Sequence, residues 1–150
     1  MNQYFITVVL ITAVISGCTL KRHTIPPYKK DPELSYQLQK KAITVCEERK
    51  KEIPVRPMFT DGCSAWPDGK KRECCVEHDI SYWCGGTRQD RLKADRLFRS
   101  CVKEKTNAFD AFVLYRGVRF GGKPYLPFRW RWGYGYKYLE KHRYDKKQSE

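Results

Sequence analysis

Residues 74–82 read Cys-Cys-Val-Glu-His-Asp-Ile-Ser-Tyr, and the architecture follows from how two adjacent cysteines can be satisfied. Consecutive residues on a helix point about 100° apart, so Cys74 and Cys75 cannot bond to each other there. They must reach two different partners. One could hold the preceding loop through Cys63, and the other could cross to the next helix at Cys101. If Cys74 and Cys101 join two antiparallel helices, His78 stands about 6 Å along one axis and Asp95 about 9 Å along the other. Both displacements then run the same way, which brings imidazole and carboxylate to nearly the same height. Asp95 lies about a third of a turn from Cys101, so contact is permitted but not compelled.

Working outward, the helix that carries this stretch is expected over about residues 71–84, ending at Gly85-Gly86. Thr87, with Asp90 three residues on, approximates a capping box and opens a helix to about residue 105. Leu92, Phe98, Cys101 and Val102 lie toward one side of it. Upstream, Asp31-Pro32-Glu33 combines a capping carboxylate, a proline where no donor is required and an acid in the first turn. Leu34, Leu38, Ala42 and Val45 mark one face of that helix, which ends before Pro54. Residues 54–70 are loop, punctuated by Pro54, Pro57, Asp61-Gly62, Pro67 and Asp68-Gly69. Downstream, Asn107 to Arg119 forms a further helix with Phe109, Phe112, Val113 and Tyr115 as its apolar material, ended by Gly121-Gly122-Lys123-Pro124. There is no repeat and little strand alternation, so the class is mainly α. Trp83 reads as core, and Arg88, Arg91, Arg96 and Arg99 read as a solvated helix face.

The chain has 150 residues, enough for one modest domain. Its 30 Lys and Arg outnumber 17 Asp and Glu for a formal charge of +13, which favours an anionic partner. Seven cysteines in so small and basic a protein point to an oxidising, exported setting and exclude a cytosolic enzyme with a large α/β core. Residues 1–20 carry no charged side chain, and their apolar run has the length of a signal-peptide core instead of a membrane span. It ends in Ile15-Ser16-Gly17-Cys18, which resembles the lipobox of bacterial lipoproteins. That resemblance implies a signal peptide over 1–17, a lipidated Cys18 and, with Thr19 following, outer-membrane over inner-membrane sorting in the cell envelope. Residues 18–30, with Lys21, Arg22, Pro26, Pro27, Lys29 and Lys30, read as a basic tether close to anionic headgroups. The remaining six cysteines are even in number, as a paired scaffold requires.

A histidine held by a buried carboxylate is a water-activating arrangement: one ring nitrogen is fixed and the other can take a proton. Asp79 points to another face, where it could ligate a cation. The adjoining loop offers carbonyl oxygens of the kind Ca²⁺ prefers. Cys-Cys-x-x-His could also suggest zinc, but no second ligand pair at finger-like spacing follows.

Cys74-Cys75-x-x-His78-Asp79-x-x-Tyr82 resembles the active-site helix of secreted phospholipase A2, and Asp95 with Cys101 six residues on resembles that family's second long helix. The likeness covers about residues 61–102. The family's further disulfide, which would join positions 81 and 94, is missing at both ends, since these are Ser81 and Ala94. The resemblance implies the pairs Cys74–Cys101 and Cys63–Cys75, which leaves Cys46 with Cys84. It implies a small disulfide-linked, phospholipase A2-like domain over 31–122, with two antiparallel core helices and an irregular calcium-type loop. By that likeness His78 is the general base, Asp95 its orienting partner and Tyr82 a donor to Asp95. Asp79 and the carbonyls of Gly62, Ser64 and Trp66 would hold Ca²⁺, and a two-residue shift would substitute Asp68 for Gly62.

The basic, aromatic C-terminal segment, 123–150, interleaves Trp and Tyr with Arg and Gly from Tyr125 to Tyr138. Such a composition suits the headgroup zone of a membrane or packing on the helices. It could also stack on sugars or single-stranded nucleic acid, though no specific nucleic acid is expected. The expected activity is calcium-dependent hydrolysis of the sn-2 ester of glycerophospholipids at a phospholipid membrane surface. The alternative is a non-catalytic envelope lipoprotein that binds anionic lipid or polymer through the same scaffold.

Overall fold

The computed structural model describes residues 28, 30–55, 57–123 and 134. The expected signal peptide, the lipidated Cys18 and the C-terminal segment, apart from Lys123 and Tyr134, lie outside the described residues. So does the tether, apart from Tyr28 and Lys30. Among the described residues there are four α-helices and no strand: α1 (Pro32–Glu48), α2 (Arg72–Cys84), α3 (Arg88–Lys105) and α4 (Ala108–Gly121). A single 3-10 turn, Gly69–Lys71, leads into α2. None of these helices is long and apolar enough to cross a membrane.

Helix starts are set locally. The Asp31 carboxylate accepts the N–H groups of Glu33 and Leu34 at 2.9 and 3.1 Å. Asp90 N–H donates to Thr87 Oγ1 at 3.1 Å while Thr87 N–H donates to Asp90 Oδ2 at 2.9 Å, a closed capping box. Asn107 Oδ1 accepts Asp110 N–H at 2.9 Å and starts α4. Each contact satisfies donors that a helix end would otherwise leave unpaired.

α2 is the central rod. From Cys74 to Cys84 only Glu77 is exposed. α1 runs parallel to it, as the Lys41–Glu77 ion pair and the Cys46–Cys84 disulfide show by their order along the two helices. Leu38, Ala42 and Cys46 of α1 close on Val76, Ile80 and Trp83 of α2. A parallel pair obliges the connection to travel back the length of α1, which is why a long irregular loop is needed. Met58 N–H donates to Gln39 Oε1 at 2.6 Å as that loop returns.

α3 packs antiparallel to α2: Cys74 bonds Cys101, His78 meets Asp95 and Tyr82 meets Arg91, in reversed order. α4 turns back along α3 in the same manner, with the Arg99 guanidinium over the Tyr115 ring and Arg91 reaching Val118. Phe98, Val102 and Ala111 form a second core with Cys74 and Cys75, backed by Leu114 and Val118. The third disulfide, Cys63–Cys75, ties the loop to α2. The chain is thus a small, mainly α-helical domain with three disulfides, each worth a few kcal/mol of about 2–4.

Three sequence expectations are corrected. Leu34, in the first turn of α1, is exposed and outside the core. Phe109 and Phe112 are 71% and 53% exposed, and α4 instead buries Ala111 with Leu114 and Val118 partly covered. Among the described helices α4 has α3 as its main neighbour, so small Ala111 allows the close approach and the bulky rings are left outside. Arg91 is not on a solvated face: it is 2% exposed.

Gly122, directly after α4, sits where the chain passes the Tyr82 ring. An added Cβ would stand 2.5 Å from the ring edge and hydroxyl of Tyr82 and 2.7 Å from the Val118 carbonyl. Gly122→Ala is therefore expected to cost about 1–3 kcal/mol through overpacking. Gly117→Ala, with nothing within 4 Å of the new Cβ, should be neutral or slightly stabilising. Urea unfolding of both variants measures the difference.

Candidate active site

α2 and α3 bring His78 and Asp95 together. His78 Nε2 and Asp95 Oδ1 are 2.8 Å apart, with Asp95 fully buried and His78 8% exposed. Two residues of α2 spaced four apart share one face, and so Tyr82 reaches the same oxygen, its hydroxyl donating to Asp95 Oδ1 at 2.7 Å. The second carboxylate oxygen accepts Arg119 Nη1 at 2.6 Å and lies 3.8 Å from Arg91 Nε. Arg91 Nε donates to the Tyr82 hydroxyl at 3.1 Å.

Burial by itself would raise the Asp95 carboxyl. The His78 hydrogen bond and charge, followed by hydrogen bonds from Arg119 and Tyr82, outweigh it and hold the group below its ordinary 3.8. Burial, and then the Asp95 charge, push the Tyr82 hydroxyl well above its ordinary value, so it remains a protonated donor. An ionised Asp95 accepts only, which requires the proton of neutral His78 to sit on Nε2. Nδ1 has no partner among the described residues.

His78 borders a cavity of about 340 Å³, walled by the 62–66 loop and Asp79 on one side and by Val113, Gly117 and Gly121 of α4 on the other. The expected loop residues Gly62, Ser64 and Trp66 all line it. Cys63 N–H donates to Asp68 Oδ1 at 2.8 Å, which folds the loop back on itself. Gly62 is required there: its φ is +73°, and a Cβ would run into the Asp68 carboxylate. Asp79 is buried and accepts the Thr60 hydroxyl at 2.6 Å, while Thr60 Oγ1 accepts Gly62 N–H at 3.1 Å. Thr60 thus joins the α2 carboxylate to the loop backbone.

Among the described residues, no three His, Cys, Asp or Glu side chains gather around a metal position. All six described cysteines are in disulfides, which removes them as zinc ligands. The donor set expected for calcium is of another kind, one carboxylate and three amide carbonyls, and it suits a hard cation. The carbonyls of Gly62, Ser64 and Trp66 accept no hydrogen bond from a described residue. The Asp68 carbonyl, which the shifted set would use, already accepts Lys71 N–H at 3.2 Å.

Sequence reasoning missed Thr60, Arg91 and Arg119. Nothing in local spacing marks them, because their partners lie 19, 9 and 24 residues away across element boundaries. Compared with known proteins, the chain matches no family model, no curated protein and no solved structure.

The buried carboxylate sets an acid limit on the fold. A depressed folded-state pKa contributes stability that is present above the unfolded value near 3.8 and is lost as pH falls through the lower folded value. Asp95→Asn is expected to lose about 3–5 kcal/mol at pH 7, because it removes the buried charge that the His78, Tyr82 and Arg119 donors share. The gap to wild type should narrow steadily below about pH 4 as the native carboxyl itself protonates. Urea titrations at a series of pH values follow that gap.

Proposed function

We propose that this chain is a calcium-dependent, phospholipase A2-like carboxylic ester hydrolase that cleaves the sn-2 ester of glycerophospholipids. The observation that carries the reading is the His78–Asp95 pair at the wall of the cavity, with Nε2 fixed at 2.8 Å and Nδ1 left for substrate chemistry. In this reading Asp95 and Tyr82 hold the ring. A water beside Nδ1 gives up its proton to His78 as its oxygen bonds to the ester carbon. His78 then returns the proton to the departing glycerol oxygen as the ester C–O bond breaks, which releases a fatty acid and a lysophospholipid.

The residues that would hold Ca²⁺ are Asp79, through its carboxylate, and Gly62, Ser64 and Trp66, through their carbonyls. When bound, the ion supplies a hard positive charge for the ester carbonyl and the lipid phosphate. Asp79, fixed by Thr60, keeps those donors against α2, and Trp66 with the α4 wall limits water around the ester.

Expected processing at Cys18 would place the domain at the bacterial cell envelope, with a phospholipid membrane as its partner. One acyl chain binds only marginally, so several chains and a basic surface would act together. α4 supports this partner. Phe109, Phe112 and Phe120, 71%, 53% and 64% exposed, share an arc of about 80° with exposed Arg116. Val113, Gly117 and Gly121, on the adjoining arc, belong to the cavity wall. The exposed aromatic stripe therefore runs into the apolar cavity, a route for an acyl chain.

His78→Gln should lower phospholipid cleavage by about 10²–10⁴-fold with the fold retained, as judged by near-UV circular dichroism. Chelation of Ca²⁺ should abolish wild-type cleavage. A wild type inert towards defined phospholipids with Ca²⁺ present would favour the non-catalytic lipid-binding lipoprotein instead. Replacing Phe109, Phe112 and Phe120 together by Ser should weaken sedimentation with phosphatidylglycerol vesicles at least tenfold, without lowering the unfolding midpoint.

A further inference from the structure

We propose that Arg119 is a positioning residue for the His78–Asp95 pair, and that the docking of α4 assembles the base and the cavity wall in one event. The consequence for turnover rests on the hydrolase reading; the hydrogen-bond geometry does not. Asp95 divides its two oxygens by function: Oδ1 serves His78 and Tyr82, at 2.8 and 2.7 Å, and Oδ2 serves Arg119 at 2.6 Å. The torsion that turns a carboxylate about its own bond is broad, and both oxygens turn together as one rigid plane, so a bond held at Oδ2 also stiffens the aim of Oδ1. Arg119 supplies the second anchor.

Arg91 is the competitor that makes this anchor necessary. Its Nε lies 3.8 Å from Oδ2, close enough to attract the carboxylate but too far to hold it. Without Arg119, the carboxylate would swing toward Arg91 and leave the imidazole N–H misaligned. Arg91 is itself occupied with α4, since its Nη2 donates to the carbonyls of Val118 and Arg119 at 2.9 and 2.7 Å. Those carbonyls belong to the last turn of α4, where Val118 O also accepts the Gly122 N–H at 2.9 Å. Arg91 therefore locates the backbone of Arg119, and Arg119 reaches back to Asp95. The same helix contributes Val113, Gly117 and Gly121 to the cavity. An α4 that is not seated loses the wall for the substrate and the aim of the base together.

The test uses the full chain with Arg119→Ala and Arg119→Lys. The readouts are kcat and KM on phosphatidylglycerol in mixed micelles with Ca²⁺, and the downfield proton resonance of the Asp95-bound His78 N–H. Arg119→Ala should lower kcat by roughly ten- to hundredfold with KM within twofold, as expected for a misaligned base. It should also shift or broaden the resonance, and Arg119→Lys, which keeps a charged donor within reach, should restore most of both. Arg119 is one-quarter exposed, and should the Ala variant fail to fold, Arg119→Gln replaces it in the same comparison. An unchanged kcat and resonance overturn the proposal, as does a fall in kcat with the resonance unmoved. If the wild type cleaves no phospholipid, the hydrolase reading falls and the resonance alone decides the role of Arg119.

Discussion

A carboxylate with no exposure at all sits at the junction of three helices, and its demand for partners organises everything near it. An isolated ion moved out of water costs several kcal/mol even after relaxation, so Asp95 is tolerable only with its acceptor capacity filled. The partners come from every helix around it: His78 and Tyr82 from α2, Arg91 from its own helix α3, and Arg119 from α4. His78 and Tyr82 fix the spacing of α2 and α3, and Arg119 fixes that of α3 and α4. The Cys74–Cys101 disulfide, about one turn of α2 from His78, fixes the same α2–α3 spacing covalently. Charge pairing and cross-link therefore enforce a single register between these helices.

The direction of α2 explains why the cavity forms where it does. Because α1 and α2 run parallel, the chain between them has to double back, and its last part arrives beside the N-terminal half of α2. Cys63–Cys75 pins it there. Thr60 then bridges the Asp79 carboxylate and Gly62 N–H, so loop backbone and helix side chain share one hydroxyl. α4 closes the other wall. The candidate base lies at the seam between the 62–66 loop and α4.

Local signals read well wherever the contacts are local. Asp31, the Thr87–Asp90 box and Asn107 act within three residues of themselves, and all four helices lie close to their expected bounds. The contact between His78 and Asp95 was half legible: axial height followed from the cysteines, while the angular fit did not. Helices that roll slightly against each other close a gap of that size, and the buried hydrogen bond to an ionised carboxylate favours closing it. Arg91 and the α4 phenylalanines were misread for one shared reason. A charged residue on a helix is by default solvated and an aromatic one by default buried, and both defaults assume an average position in the fold. Arg91 faces the end of α4, and Phe109 and Phe112 are exposed on α4 while Ala111 is buried.

What the amino-acid order determined alone was the set of helices, their caps, the loop between α1 and α2, and the presence of a His, two Asp and a Tyr at spacings fit for one site. Those features depend on neighbours a few residues away, where backbone geometry leaves few choices. Only the tertiary structure decided which oxygen of Asp95 serves the imidazole, that Arg119 and Arg91 complete its shell, and that Thr60 holds Asp79. Such contacts join residues from separate elements, and their existence depends on how whole helices pack, a quantity set by summed burial and pairing across the domain and carried by no short segment of the chain.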